Sequence, residues 1–343
     1  MQAILGVIFH LIGGFASGSF YLPYKKVKGW AWESYWIVGG LFSWLIVPPL
    51  AALLTVPHFT EIISNTDSSV IAFTFLFGLL WGIGGLTYGL GVRYLGVSLG
   101  SSIIFGLCMV FGALIPSIYY EIVPTGGKET ISMLTGTQWG LTVLAGLAVC
   151  VIGIIICGKA GTMKEKMLTN ATNTDPHGVQ MRTEYKFGLG LFVSIISGIL
   201  SACFSFGIEA GSALSVAANE IWKAAHPGEG EFLFRNNVIY IVILWGGLTT
   251  NLIWCIILNA RNKTFGDYTN NKTPLLANYL FSALAGTTWF LQFFFYGMGE
   301  SKLGNGPSSW ILHMSFIILT ANMWGIVLKE WKGTGQKTIR TVI

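Results

Sequence analysis

LFGLLWGIGGLTYGLGVRYLG (Leu76–Gly96) returns late in the chain as LAGTTWFLQFFFYGMGESKLG (Leu284–Gly304). The two align without a gap. Leu76, Gly78, Trp81, Tyr88, Gly89, Gly91, Leu95 and Gly96 meet Leu284, Gly286, Trp289, Tyr296, Gly297, Gly299, Leu303 and Gly304. Apolar letters match by chance in any hydrophobic run, but a tryptophan, a tyrosine and four glycines in phase do not. A weaker match joins Gly6, Ile12, Gly14, Ser17 and Phe20 to Gly190, Ile196, Gly198, Ser201 and Phe204. The chain therefore reads as two related halves.

Both copies lie in long apolar runs. A bilayer core of roughly 30 Å needs about 20 apolar residues in a helix. Nine runs meet that length, near residues 3–22, 35–56, 70–92, 97–122, 138–158, 187–207, 237–258, 275–299 and 307–328. Composition agrees: 53% of the residues are hydrophobic and only 10% charged, against about a quarter charged in a soluble domain. Mean hydropathy is +0.64. The 44 glycines suit close helix packing in lipid. The prolines at 48, 49 and 116 predict kinks within spans. Cys108, Cys150, Cys157, Cys203 and Cys255 all fall in apolar runs and read as reduced, packed thiols.

The longest polar connection, 159–186, separates five spans from four. It divides the chain into a first repeat (1–158), a cytoplasmic linker (159–186) and a second repeat (187–343). Five spans is an odd number, so the second copy enters the bilayer from the opposite face. The predicted fold is an all-α polytopic bundle of two inverted five-helix repeats, with the tenth helix missing where the sequence stops at Ile343. Of the 20 basic residues, all but Lys128, Lys223, Arg235 and Lys302 fall in alternate loops on one side. Basic loops favour the cytoplasm, which predicts the N-terminus outside. No phosphate-binding loop, metal-ligand cluster or hydrolase motif appears, which disfavours an ATP-driven pump or an intramembrane enzyme. The net charge of +5 follows from these loops and is no nucleic-acid signal.

The stretches Phe9–Gly13, Phe20–Lys28, Phe75–Gly78, Trp81–Gly84, Tyr88–Leu90, Arg93–Gly96, Trp289–Tyr296, Trp310–Phe316 and Leu328–Trp331 resemble the L-rhamnose–proton symporter family of the drug/metabolite transporter superfamily. The stretch Glu300–Pro307 and the charged loop 219–234 depart from the family pattern. The resemblance implies ten helices in two inverted repeats and import of L-rhamnose, or a close deoxysugar or pentose, by proton symport through alternating access. It implies no cofactor, H+ as the coupling ion, and a bacterial inner membrane. Two other readings stay open: a secondary transporter or exporter of another metabolite, and a membrane sugar sensor without flux. The monosaccharide and membrane lipid are the expected partners; the oligomeric state is not legible.

A proton-coupled symporter needs a group that titrates within the membrane, where ionisable residues are costly. His10, His313 and Glu209 are the candidates. A packed imidazole bonded to a backbone carbonyl is the alternative for each histidine, and a solvated span end for Glu209. A sugar site combines hydrogen-bonding amides with aromatic faces. Trp289, Gln292 and Tyr296 line one face of the eighth run at helical spacing. Trp81 and Tyr88 are the repeat partners of Trp289 and Tyr296; Trp310 lies one turn from His313. Asn251 is a rare amide within its run, with an interhelical hydrogen bond as the alternative. Arg93 is the candidate for gating or anchoring. No metal site is expected.

Overall fold

The computed structural model describes residues 2–95, 97–172 and 187–328. Among them there is no strand. Nine long helices follow one another: α1 Gln2–Ser19, α2 Trp32–Thr55, α3 Ser68–Leu95, α4 Val97–Ile122, α5 Gln138–Thr172, α6 Phe187–Ala210, α7 Asn237–Asn262, α8 Leu275–Leu303 and α9 Gly306–Val327. Eight segments are long and apolar enough to cross a membrane. The helix outside that set is α8, which is 29 residues long but holds Asn278, Gln292, Glu300 and Lys302. Its buried polar side chains lower its apolarity. The nine runs expected from hydropathy are thus all helical, and the chain is a polytopic bundle of membrane helices.

The residue distribution shows which solvent the bundle meets. Leu53, Leu54, Ile122, Val149, Ile155 and Leu276 are largely exposed. His10, Ser34, Thr74, Ser194, Ser197, Asn278 and Gln292 are buried. In water, each exposed apolar side chain would forgo roughly 1.5–3 kcal/mol of burial. Lipid removes that penalty, and it makes buried polar groups the interior solution.

Two compact units arise from the fold, one from Met1–Gly82 with Cys203–Thr320, the other from Ile83–Ala202 with Ala321–Ile343. In the first, α1 lies along α8, and α2 packs on α7 and α8. Two glycines permit the closest approaches. A Cβ on Gly286 of α8 would strike the Gly39 carbonyl oxygen of α2, and one on Gly78 of α3 would strike the Ile243 carbonyl oxygen of α7. In the second unit, α4 packs on α5. There α6 meets α3 through Ser197, whose Oγ donates to the Gly84 carbonyl at 2.8 Å. Gly190 abuts Leu95, and the Tyr88 and Phe105 rings lie 5.8 Å apart.

The polar ends of the first unit fix its alternation. At one end Asn278 bonds both the N–H (3.0 Å) and the carbonyl (2.8 Å) of Lys28. Asp267 accepts from Ala31 N–H and Ser34 Oγ, each at 2.8 Å. Buried Glu33 accepts from Asn262 Nδ2 at 2.9 Å and Thr264 Oγ1 at 2.8 Å. Loops 25–31 and 263–274 therefore share one end of the unit. At the other end Asn237 Nδ2 donates to Thr55 Oγ1 at 2.9 Å and Asn236 Nδ2 to Glu300 at 2.5 Å.

Three local features refine the sequence reading. Ahead of Pro48-Pro49, where the sequence predicts a kink, the helix passes through a π-helical turn, Leu41–Ile46, and the α-helix resumes at Val47 with proline in its first turn. Helix α5 runs on to Thr172, past the span end expected at Gly158 and into the predicted linker. After α6, the charged loop begins as a helix, Ser212–Ala225. The rest of the linker (173–186) and positions 329–343, where a tenth span would start, lie outside the described residues.

Candidate functional site

The first unit brings His10 and His313 together. His10 sits mid-way along α1, His313 on α9, and their ring centroids are 5.9 Å apart at 61°. Tyr296 of α8 wedges against both, 5.4 Å from His10 and 5.2 Å from His313. Trp310 backs Tyr296 at 6.1 Å, and Phe293 stands 6.4 Å from His313. Glycines make the approach possible. A Cβ on Gly299 would fall 2.6 Å from His10 Nε2, and one on Gly13 would fall 3.2 Å from His313 Cε1.

Both imidazoles are essentially fully buried, and none of their four ring nitrogens has a hydrogen-bond partner. The packed-imidazole alternative required a backbone carbonyl partner, and neither ring has one. Gln292, on the same α8 face, is also buried, with Nε2 unpartnered. Unmade bonds at buried polar groups cost about 1–3 kcal/mol each. The four histidine nitrogens lie on adjoining rings, and with Gln292 Nε2 they are buried polar atoms that a polar guest would satisfy.

From this point a file of aromatic rings leads along the unit. Phe293 stacks on Phe204 at 3.9 Å and meets Trp289 at 5.2 Å. Trp81 and Trp289, which the sequence alignment pairs, lie 5.6 Å apart at 35°. Both are half-buried, so part of their ring surface is accessible. Trp44 stands almost perpendicular to each, at 6.2 and 5.9 Å. Trp36 continues the file at 6.1 Å from Trp44.

The other expected residues are placed as follows. Asn251 is engaged between helices: its Oδ1 accepts from Trp36 Nε1 at 3.0 Å and its Nδ2 donates to the Gly247 carbonyl at 2.9 Å. Glu209 is half-buried near the end of α6, facing the first residue of α9, where a Cβ on Gly306 would lie 3.5 Å from its Oε1. A carboxylate there complements the positive end of the α9 dipole. His313 is seven residues further along α9, about 10 Å by helix rise. Tyr88 belongs to the second unit, against Phe105. The side chain of Arg93 lies outside the described residues. Among those described, no group of three or more His, Cys, Asp or Glu could hold a metal ion. Sequence reasoning named none of Trp44, Phe204 and Phe293 as site residues. Trp44, one helical turn before a Pro-Pro pair, and Phe204, aligned with Phe20, carried a weak local signal; Phe293 looks like any other phenylalanine in an apolar run.

Comparison with known proteins matches the whole chain. The family model described as L-rhamnose-proton symport protein (RhaT) covers residues 1–343. The L-rhamnose-proton symporter of Yersinia pestis (strain Pestoides F) is 36% identical over 341 residues, 98% of this chain and 92% of its own length. That of Pectobacterium atrosepticum is 36% identical over 345 residues, 99% of this chain and 93% of its own.

Proposed function

The chain belongs to the L-rhamnose-proton symport protein family, a family of transporters and not of enzymes, and from that premise we propose that it imports L-rhamnose with protons. The observation that carries this reading is the buried, unpartnered His10–His313 pair beside Gln292 and the tryptophan file. The relatives are bacterial proteins bearing the symporter name, and the bacterial cytoplasmic membrane is the proposed location. The concentration of basic residues in alternate loops supports an N-terminus outside.

Coupling follows from the chemistry of imidazole. A neutral ring offers one donor and one acceptor; a protonated ring offers two donors. A sugar hydroxyl that accepts from the second N–H binds better when the pair holds a proton. Proton and sugar then raise each other's affinity by linkage. The pair holds a single charge: two charges about 6 Å apart repel by roughly 3 kcal/mol at an effective dielectric of ~20. The Tyr296 ring, 5.4 Å from His10, adds a weak cation–π attraction for that charge. The exposed parts of Trp81 and Trp289 offer faces for the C–H side and methyl corner of a deoxysugar. Asn251 holds α7 to α2, so its part in sugar binding is through that geometry.

The inverted five-helix repeat is the proposed architecture, and paired contacts in the two units support it. Gly6 abuts Leu303 as Gly190 abuts Leu95. His10 meets Gly299 where Ser194 meets Gly91. Tyr296 faces His313 where Tyr88 faces Phe105. The first two pairs occupy matching positions in the two sequence alignments, as do Tyr88 and Tyr296; Phe105 and His313 correspond when the first alignment is continued without a gap. On this reading the proton site has an uncharged counterpart in the second unit, built from Ser194, Tyr88 and Phe105, and transport exposes the site alternately by rocking of the repeats.

The test is L-rhamnose uptake into proteoliposomes with and without an inward proton gradient. Gradient-driven accumulation that a protonophore abolishes and sodium does not alter is the expected result. Absence of accumulation by folded, inserted protein would overturn the proposal.

A further inference from the structure

We propose that Trp44 is a sugar-contacting specificity residue, its indole N–H donating to one hydroxyl of the transported sugar; this rests on the transport reading above. Three observations carry it. First, Trp44 is 4% exposed and its Nε1 has no hydrogen-bond partner. Its neighbour Trp36 satisfies the same atom through Asn251 at 3.0 Å, so a protein acceptor was within the fold's means and Trp44 lacks one.

Second, Trp44 sits in the π-helical turn Leu41–Ile46. Such turns are rare, carry a local cost and concentrate at functional positions. The turn sits next to Gly40, where any Cβ would fall 2.5 Å from the Trp44 ring. The backbone is therefore shaped around this one side chain. Third, the ring stands nearly perpendicular to both Trp81 and Trp289, at 86° and 90°. Those two tryptophans offer faces, and the third closes the group with an edge and a donor. A neutral ligand with an apolar face and hydroxyl acceptors fits that combination; an anion or a purely apolar solute does not.

The experiment uses the full chain in proteoliposomes. Trp44→Phe keeps an aromatic ring and removes the N–H. The expected result is a rise in KM for L-rhamnose of about tenfold, the worth of one hydrogen bond to a neutral group, with the maximal rate retained. Monodeoxy analogues supply a readout that packing alone would not move. Wild-type protein should discriminate against the analogue lacking one particular hydroxyl, and Trp44→Phe should lose that discrimination while keeping the others. An unchanged KM, or a rise equal for every analogue, would overturn the proposal. If Trp44→Phe fails to insert, wild-type protein with 15N-labelled indoles replaces it. Saturating L-rhamnose must then shift an indole N–H resonance of slow solvent exchange, and no shift would overturn the proposal. Wild-type protein that neither binds nor moves L-rhamnose would instead sink the transport reading itself.

Discussion

Gly299→Ala probes the proton site without touching a titratable group. The new Cβ would fall 2.6 Å from His10 Nε2 and 2.8 Å from its Cδ2 and Cε1. Ordinary contact begins at 3.4 Å, so the imidazole must retreat by about 0.8 Å or α1 must lift from α8. Overpacking of this size costs about 1–3 kcal/mol, while alanine regains up to ~1 kcal/mol of helix propensity. The net loss of stability is about 0–2 kcal/mol, too small to unfold the bundle. The functional loss is larger, because a misplacement near 1 Å at a reacting group costs on the order of 100-fold. Gradient-driven accumulation in proteoliposomes should fall at least about tenfold, while sugar counterflow, which needs no net proton movement, persists. Gly153→Ala is the control: it lies on the exposed side of α5 with no atom near its added Cβ, and should transport normally. If Gly299→Ala accumulates sugar as Gly153→Ala does, His10 is not held against α8 in the working protein or does not take the proton.

His313→Ala should abolish gradient-driven accumulation and spare counterflow; full accumulation by this variant would remove His313 from the coupling role. Glu33→Ala removes the acceptor shared by Asn262 and Thr264, though Thr264 keeps Asn259 Oδ1 at 2.9 Å, and should lower stability by about 1 kcal/mol, read as a fall in thermal midpoint in detergent; an unchanged midpoint would mean the end network is not formed. Glu231 is held below its ordinary value of 4.5, chiefly by its hydrogen bond to Lys223 and further by Arg235. Its contribution is therefore present above pH 4.5 and lost as the pH falls through the lowered value. Because its side chain is 41% exposed, screening limits the effect to about 1 kcal/mol or less. Glu231→Gln should thus be slightly less stable than the parent at pH 7 and approach it as the pH falls through the lowered value, and a difference that grows on acidification would contradict the assignment.

The sequence by itself determined where the helices lie, because hydropathy and length decide which segments enter lipid, and helix formation satisfies their backbone locally. Leu76–Gly96 and its late copy also pointed to the proposed internal repeat, since glycine, tryptophan and tyrosine in phase carry more information than apolar letters. His10, His313 and Gln292 stood out as polar side chains in apolar runs, whose cost demands a reason. What only the tertiary structure decided is which of these meet. His10 and His313 are 303 positions apart, and no local pattern pairs α1 with α9 across α8. The same limit hid the distinction between two look-alike polar groups. Asn251 finds Trp36 and is satisfied, whereas Gln292 Nε2 finds no partner. It also hid Trp44, whose significance lies in the π-helical turn and in two tryptophans from other helices. A side chain's partners depend on helix rotation and on glycine-sized gaps in neighbours distant in sequence, and packing of the whole unit fixes both.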